Sequence, residues 1–212
     1  MQIIDLSQTI EPGMPCFPGT PEPAFQTISS IGTAGFSEQL LTFSTHTGTH
    51  IDLPSHILAD GDSMDNVPIG QFSGKGAAID VRTVPGGIIT TAMLQPALTL
   101  IRECDFLLLC SGWSRYWGTS DYFTNYPVLS VETARWLAGF QLKGLGVDMI
   151  SVDASDSALF PVHVELLQRG TMIIENLSNL FPLLGRAFLF CGFPLKLAHA
   201  EASPVRAVAF VE

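Results

Sequence analysis

The sequence predicts a single α/β domain, an α+β arrangement built on a mixed sheet, and three observations lead there. The chain has 212 residues, 47% hydrophobic and 14% charged, which is enough apolar material for one sizeable core and too little charge for disorder. Hairpin-like segments and Gly/Pro-rich turns fill its early part, and strand-like segments alternate with helix-like ones later. No Ser/Gly/Pro linker, charge block or internal repeat divides it, so residues 1–212 are expected to form one unit.

Residues 2–6 read as a strand and Pro12–Pro23 as an irregular loop. Strands are expected over 25–31 and 36–46, the second with Leu41, Phe43 and Thr45 in alternation. Turn residues then dominate 47–70. Gly76–Val81 reads as a strand, Thr91–Glu103 as a helix interrupted or restarted at Pro96, and Phe106–Cys110 as a short, wholly apolar buried strand. Ser130 is placed to cap a helix running to about Leu137, because its hydroxyl can accept a first-turn N–H. The segment G-L-G-V-D-M from Gly144 starts another β segment that leads into turns. Pro161 opens a helix that Gly170 closes. Proline at the first helical position lacks only an N–H that would be orphaned anyway, and glycine after the last turn tolerates the left-handed cap. Thr171–Glu175, Phe188–Cys191 and Val205–Val211 complete a strand-rich C-terminal half.

Ten Lys+Arg against twenty Asp+Glu give a net charge of −10, which repels phosphate backbones and anionic lipid, so neither nucleic acid nor a membrane surface is an expected partner. No apolar run approaches the ~18 residues of a membrane span, and no basic region followed by an apolar one opens the sequence. A cytoplasmic protein is expected. Cys16, Cys104, Cys110 and Cys191 are scattered, without a C-x-x-C pair, and read as free thiols. Abundant apolar residues and few charges also predict that another copy of the chain covers part of the surface.

Three of the five histidines fall in one short segment, H-T-G-T-H-I-D-L-P-S-H, which contains His46, His50, Asp52 and His56. Borderline cations such as Zn²⁺ and Mn²⁺ take neutral imidazole nitrogens and carboxylate oxygens, and this segment offers both. Gly48, two threonines and Pro54 argue against a helix, so a turn is expected to bring His46 and His50 together, while His50 and Asp52 share a face of extended chain. The plain alternative is a set of hydrogen-bonded histidines in a turn. Downstream, His163 sits in the first turn of the short helix and Glu175 ends an apolar strand. A buried carboxylate there needs a cation or several donors, an Arg partner or edge exposure being the alternatives. The run D-G-D-S-M-D at 60–65 lacks the glycine and glutamate of a calcium loop and reads as a solvated turn; Asp148, Asp153 and Asp156 read as turn or capping residues.

The His-rich segment, with D-S-A-L-F-P-V-H-V-E-L-L-Q-R-G-T-M-I-I-E-N-L, F-P-G near the N-terminus, S-G-W-S-R-Y-W-G and S-P-V-R-A-V near the end, resembles the cyclase family of metal-dependent hydrolases, which includes bacterial kynurenine formamidase and isatin hydrolase. The resemblance spans nearly the whole chain. It implies the swivelling β/β/α fold and a homodimer or homotetramer. Carried over by position, it implies that His46, His50 and Asp52 bind a first divalent ion, Zn²⁺ or Mn²⁺, and that Asp52, His163 and Glu175 bind a second where two are present. His56 is then the acid–base residue. Formamidases place a substrate-contacting Trp before P-G; Phe17 stands there, keeping an aromatic face and losing the indole N–H. The implied activity is hydrolysis of a small aromatic amide, N-formylkynurenine to kynurenine and formate in tryptophan catabolism, with a cyclic amide such as isatin as alternative.

Two other classes compete. A metal-dependent lyase or isomerase acting on an acid would aim Arg115, Arg135 or Arg169 at the metal. A non-catalytic metal-binding protein would saturate the ion's coordination. The aromatic stretch Trp113, Tyr116, Trp117, Tyr122 and Phe123 suits a pocket or a subunit interface, with core packing as the alternative.

Overall fold

The computed structural model describes residues 1–84 and 87–212. From the N-terminus, β1 (Gln2–Asp5) leads through an irregular loop to a hairpin, β2 (Ala24–Ser29) and β3 (Glu38–Thr42), with one helical turn, α1 (Ile31–Ala34), at its tip. Next come β4 (His50–Asp52), β5 (Ser73–Asp80) and β6 (Ile88–Ile89), then α2 (Thr91–Leu94) and α3 (Leu98–Glu103), separated by a 3₁₀ turn at Gln95–Ala97. The chain continues through β7 (Phe106–Cys110), β8 (Val128–Leu129), α4 (Val131–Leu137), β9 (Gly144–Val147), α5 (Pro161–Leu167), β10 (Met172–Glu175), β11 (Phe188–Pro194) and β12 (Ala202–Val211).

Eight strands form one mixed sheet in the order β1-β12-β11-β5-β7-β9-β10-β4, and β4 pairs in turn with β12. The sheet therefore closes on itself. Closure depends on the length of β12, whose Ala202–Pro204 pair with β4 while Val205–Val211 pair with β11. β5, β7, β9 and β10 run parallel and the remaining pairings are antiparallel.

Alternation along the strands sorts the core into two. Phe106, Leu108 and Cys110 pack with Ile51, Ile174, Phe190, Ala207 and Ala209, whereas Leu107 and Leu109 pack with Leu145, Val147 and Ile173 against Leu94, Ile101, Leu137 and Leu166 of the helices. The Phe106 and Phe190 rings lie 4.5 Å apart although β5 separates their strands within the sheet. Large rings in that space force small neighbours: a Cβ on Gly76 would stand 1.9 Å from the Phe188 ring.

Most elements lie where the sequence places them. The helix over 91–103 breaks at Gln95–Ala97, next to Pro96, Ser130 accepts the Thr133 N–H at 3.1 Å, and Gly170 adopts a φ of +78° beyond α5. The strand expected over 36–46 is shorter, Glu38–Thr42, and every residue of it is exposed. Its alternation of Leu41 with Phe43 suggests a half-buried strand, but no core lies beneath it. The region read as turns holds β4, too short at His50–Asp52 for periodicity to reveal. Ile88–Ile89 and Val128–Leu129 pair in parallel, another match too short to read from sequence. Among the described residues no helix is long and apolar enough to cross a membrane.

Candidate metal centre

Sheet closure brings the acidic and imidazole groups together. In β4, His50 and Asp52 are two residues apart and point to one face. Glu175 at the carboxyl end of β10 stands directly opposite His50 in the antiparallel register, and residues so paired share a face. The turn before β4 supplies His46, and the first turn of α5 supplies His163. Two ligand groups result, His46 with His50 and Asp52, and Asp52 with His163 and Glu175. In each, the potential ligand atoms lie within 4.8 Å of one another. All five side chains proposed as ligands from the sequence thus converge, with Asp52 common to both groups.

The distances are those of a charged cluster. His46 Nδ1 lies 2.9 Å from Asp52 Oδ1, His50 Nε2 lies 3.3 Å from the same oxygen and 3.5 Å from Glu175 Oε2, and His163 Nε2 lies 3.5 Å from Glu175 Oε1. Neither an Arg partner nor edge exposure accounts for Glu175. It is buried, and its Oε1 accepts the Val152 N–H at 3.2 Å.

A second ring of contacts orients the imidazoles. His50 Nδ1 is 2.8 Å from the Gly48 carbonyl, which can only accept, so Nδ1 carries the proton and the Nε2 lone pair faces the cluster. His163 does likewise: Nδ1 donates to Asp153 Oδ2 at 2.7 Å and Nε2 faces inward. His46 Nε2 lies 3.3 Å from Glu201 Oε1, which also accepts from Thr45 Oγ1 at 2.6 Å. The Gly48 carbonyl is held in turn by Asn176 Nδ2 at 2.9 Å, and the Asn176 side-chain oxygen accepts from the buried Tyr122 hydroxyl at 2.8 Å.

The electrostatics call for positive charge. Burial opposes ionisation of Asp52, yet the surrounding imidazoles outweigh it and hold the carboxyl well below its ordinary range. Burial likewise opposes the His163 imidazolium, but Asp153 and Glu175 push that group up to about 10. His46 is raised, as Asp52 beside it outweighs burial. Despite these charges, His50 Nε2 and both Asp52 oxygens are buried without a hydrogen-bond partner; the 2.9 Å approach of His46 to Asp52 is a charge contact, not a directed hydrogen bond. Orphaned imidazole and carboxylate atoms aimed at one another are the donor set a divalent cation satisfies. The residues fit such an ion.

His56 belongs to neither ligand group. It sits in the 3₁₀ turn Pro54–His56, its ring centroid 4.3 Å from that of His46 and 5.8 Å from that of His163. Burial, with the adjacent His46 and His163, lowers its pKa against the pull of Asp52. Phe17 lines a cleft of about 370 Å³ with Gly118 and Phe123. The aromatic stretch divides: Tyr122 is fully buried, with the Trp113 indole donating to its carbonyl at 3.0 Å, and Phe123 reaches the cleft. Arg115 donates to the Tyr116 hydroxyl and Arg135 pairs with Glu165, so neither guanidinium serves the cluster.

Sequence reasoning missed Glu201, which lies two residues before S-P-V-R, where neither spacing nor neighbours mark a site. Asp153 caps a helix, as expected, whereas Asp148 ties two distant segments together. Asp153 accepts the Val162 and His163 N–H groups at 3.0 Å, and Asp148 accepts from Ser111 and Gly112. Within the acidic run, Asp65 accepts from the Ser63 hydroxyl and the His199 N–H.

Comparison with known proteins gives the family and the fold. The family described as putative cyclase matches residues 4–154. An uncharacterised protein of Methanocaldococcus jannaschii is 32% identical over 100% of both chains. A kynurenine formamidase of Salinibacter ruber is 31% identical, covering 98% of this chain and 97% of its own. Isatin hydrolase A from Labrenzia aggregata, solved with benzyl benzoate, superposes with a TM-score of 0.90 at 25% identity, over 99% of this chain and 93% of that one. The fold is accordingly that of the isatin hydrolase and cyclase-family structures, and the chain belongs to the cyclase family of metal-dependent hydrolases.

Proposed function

We propose that residues 1–212 form one hydrolase domain of arylformamidase type, which cleaves the amide bond of a small aromatic substrate, N-formylkynurenine, to kynurenine and formate. The observation that carries this reading is an imidazole, His56, beside two candidate ligand groups that share Asp52 and belonging to neither. In this reading His46, His50 and Asp52 would hold one divalent ion, and Asp52, His163 and Glu175 would hold a second where two are bound. Zn²⁺ and Mn²⁺ both suit the N/O donor set. Such an ion supplies Lewis-acid polarisation of a carbonyl and a water activated near neutral pH.

The chain's own groups do the rest. His56, whose imidazolium form is disfavoured by burial and by the adjacent His46 and His163, accepts a proton from the attacking water at a ring nitrogen. It then gives that proton to the departing arylamine nitrogen as the C–N bond breaks, so the proton count balances. Asp153 and the Gly48 carbonyl keep His163 and His50 in the tautomer that faces the cluster. Phe17 offers an aromatic face to the aryl ring.

The test is N-formylkynurenine hydrolysis by protein stripped with chelator and reloaded separately with Zn²⁺ and Mn²⁺. Metal-restored turnover is expected. His56→Ala is expected to keep its metal and lose ~10²–10⁴ in kcat, and His50→Ala to lose both metal and rate. Equal metal loss in the two variants defeats the division of roles, and an inactive metal-loaded enzyme defeats the formamidase reading. The likeness to isatin hydrolase A supports a second reading, a cyclic amide such as isatin, and the same preparation tests it.

A further inference from the structure

Phe160 goes against three local preferences at the start of α5. Its φ of +44° and ψ of +53° are left-handed, a conformation in which the Cβ of an L-residue crowds the following carbonyl. Among the described residues the other non-glycine positions with positive φ are Asn125, Asn176, Asn179 and His199, types that visit this region more readily; Phe160 is the one bulky hydrocarbon side chain. Pro161 follows it, and a residue before proline is pressed toward extended backbone. The position also flanks the helix N-terminus, where a short polar side chain ordinarily accepts a first-turn N–H. Asp153 supplies that acceptor instead, taking the Val162 and His163 N–H groups at 3.0 Å, and so frees position 160 for a ring.

Backbone strain that the surroundings hold in place concentrates at functional sites, and here it sets a benzene ring beside the ligand cluster. The Phe160 ring lies 5.7 Å from that of His163 at 82°. The other ring contacts of the cluster's imidazoles among the described residues, at 5.0, 4.3 and 5.8 Å, are with one another. Five of the six residues from Ala154 to Leu159 are exposed, yet His163 just beyond them is buried. Phe160 between them is half-buried, so its perpendicular contact with His163 occupies one side of the ring and leaves another open.

We infer that Phe160 is a specificity-determining residue, a second aromatic wall besides Phe17, on which the aryl ring of the substrate rests next to His163. Aromatic rings favour the offset and edge-to-face packing that such a wall offers, a preference an aliphatic group does not share. Among the described residues Asp52, Asp153, Glu175 and Glu201 form ion pairs only with histidines, so a ring and not a guanidinium is what this part of the site presents to a substrate. The His56 ring, 5.8 Å from that of His163, borders the same imidazole, which makes the wall and the proposed acid–base residue neighbours of one group. The inference rests on the reading of this site as one for a small aromatic amide; it does not require that amide to be N-formylkynurenine.

Phe160→Gly removes the ring and suits the left-handed backbone, so the helix start is expected to survive. The measurement is the affinity of the Zn²⁺-loaded protein for benzamide and for cyclohexanecarboxamide, amides of similar size of which only the first has an aromatic face, by ligand-observed NMR titration. Wild type is expected to favour benzamide. Phe160→Gly is expected to bind benzamide about 10-fold more weakly with a much smaller change for cyclohexanecarboxamide, and Phe160→Tyr to retain the preference. Equal weakening toward both amides shows that the ring only fills space and overturns the inference, as does an unchanged benzamide affinity or a wild type without the preference. Zn²⁺ affinity by chelator competition is expected to match wild type in Phe160→Gly; a fall as large as that for benzamide reassigns Phe160 to support of His163 and overturns the wall. The formamidase reading fails separately: N-formylkynurenine left intact by a metal-loaded enzyme that keeps the benzamide preference discards that substrate and retains the wall.

Discussion

Asp153 grips His163 twice with a single oxygen: Oδ2 accepts the backbone N–H at 3.0 Å and the ring Nδ1–H at 2.7 Å. The carboxylate thereby caps α5, whose N-terminal flanking residue Phe160 has no side chain able to do so, and sets the ring's tautomer. Helix start and imidazole orientation thus depend on one group.

Replacement of Asp153 therefore carries two separable costs. Asp153→Ala is expected to lower stability to urea by about 1 kcal/mol through the lost cap. It is also expected to weaken divalent-metal affinity ~10–100-fold, read by chelator competition. An alanine variant that binds metal like wild type would show that the helix alone orients His163.

Gly61 supports His56 from behind. A Cβ there would stand 2.4 Å from Pro54 C and Ser55 N, backbone atoms of the turn that ends at His56, and no side chain can rotate to relieve the clash. Gly61→Ala is predicted to cost about 1–3 kcal/mol in denaturation experiments and to lower kcat with bound metal retained. Unchanged turnover would mean that the position of His56 is not critical.

The four cysteines are predicted to be unreactive in the folded chain. Burial raises the thiol pKa of each, pushing Cys104 and Cys110 up to about 11. A raised pKa means less thiolate at a given pH. At pH 8 a thiol at about 11 is roughly 0.1% ionised, against about a quarter at the ordinary 8.5, so alkylation of Cys104 and Cys110 should be ~200-fold slower folded than in denaturant. Mass spectrometry of iodoacetamide-treated protein measures this, and comparable labelling in both states would refute it.

Much of this protein is legible in its sequence because the signals are local. Pro161 and Gly170 delimit α5, Ser130 starts α4, and the unbroken apolar run of β7 declares a buried strand. The cluster of His46, His50, Asp52 and His56 is likewise a matter of spacing along a few residues, so a donor set suited to a metal ion shows before any fold is known. His163 and Glu175 are suspicious on their own, one at a helix start and one a carboxylate on an apolar strand, but their meeting with Asp52 is not a local property. It follows from the antiparallel register of β4 with β10 and from β12 closing the sheet against β4, pairings between segments distant in the chain. The same closure brings Glu201 to His46. The exposure of β3 escapes local reading for the converse reason: its alternation is that of a buried-face strand, and only tertiary structure reveals that none of the described residues buries it. Residue types and their spacing determine which chemistry is available; long-range strand pairing decides which groups share it, because register sets side-chain facing at any sequence separation.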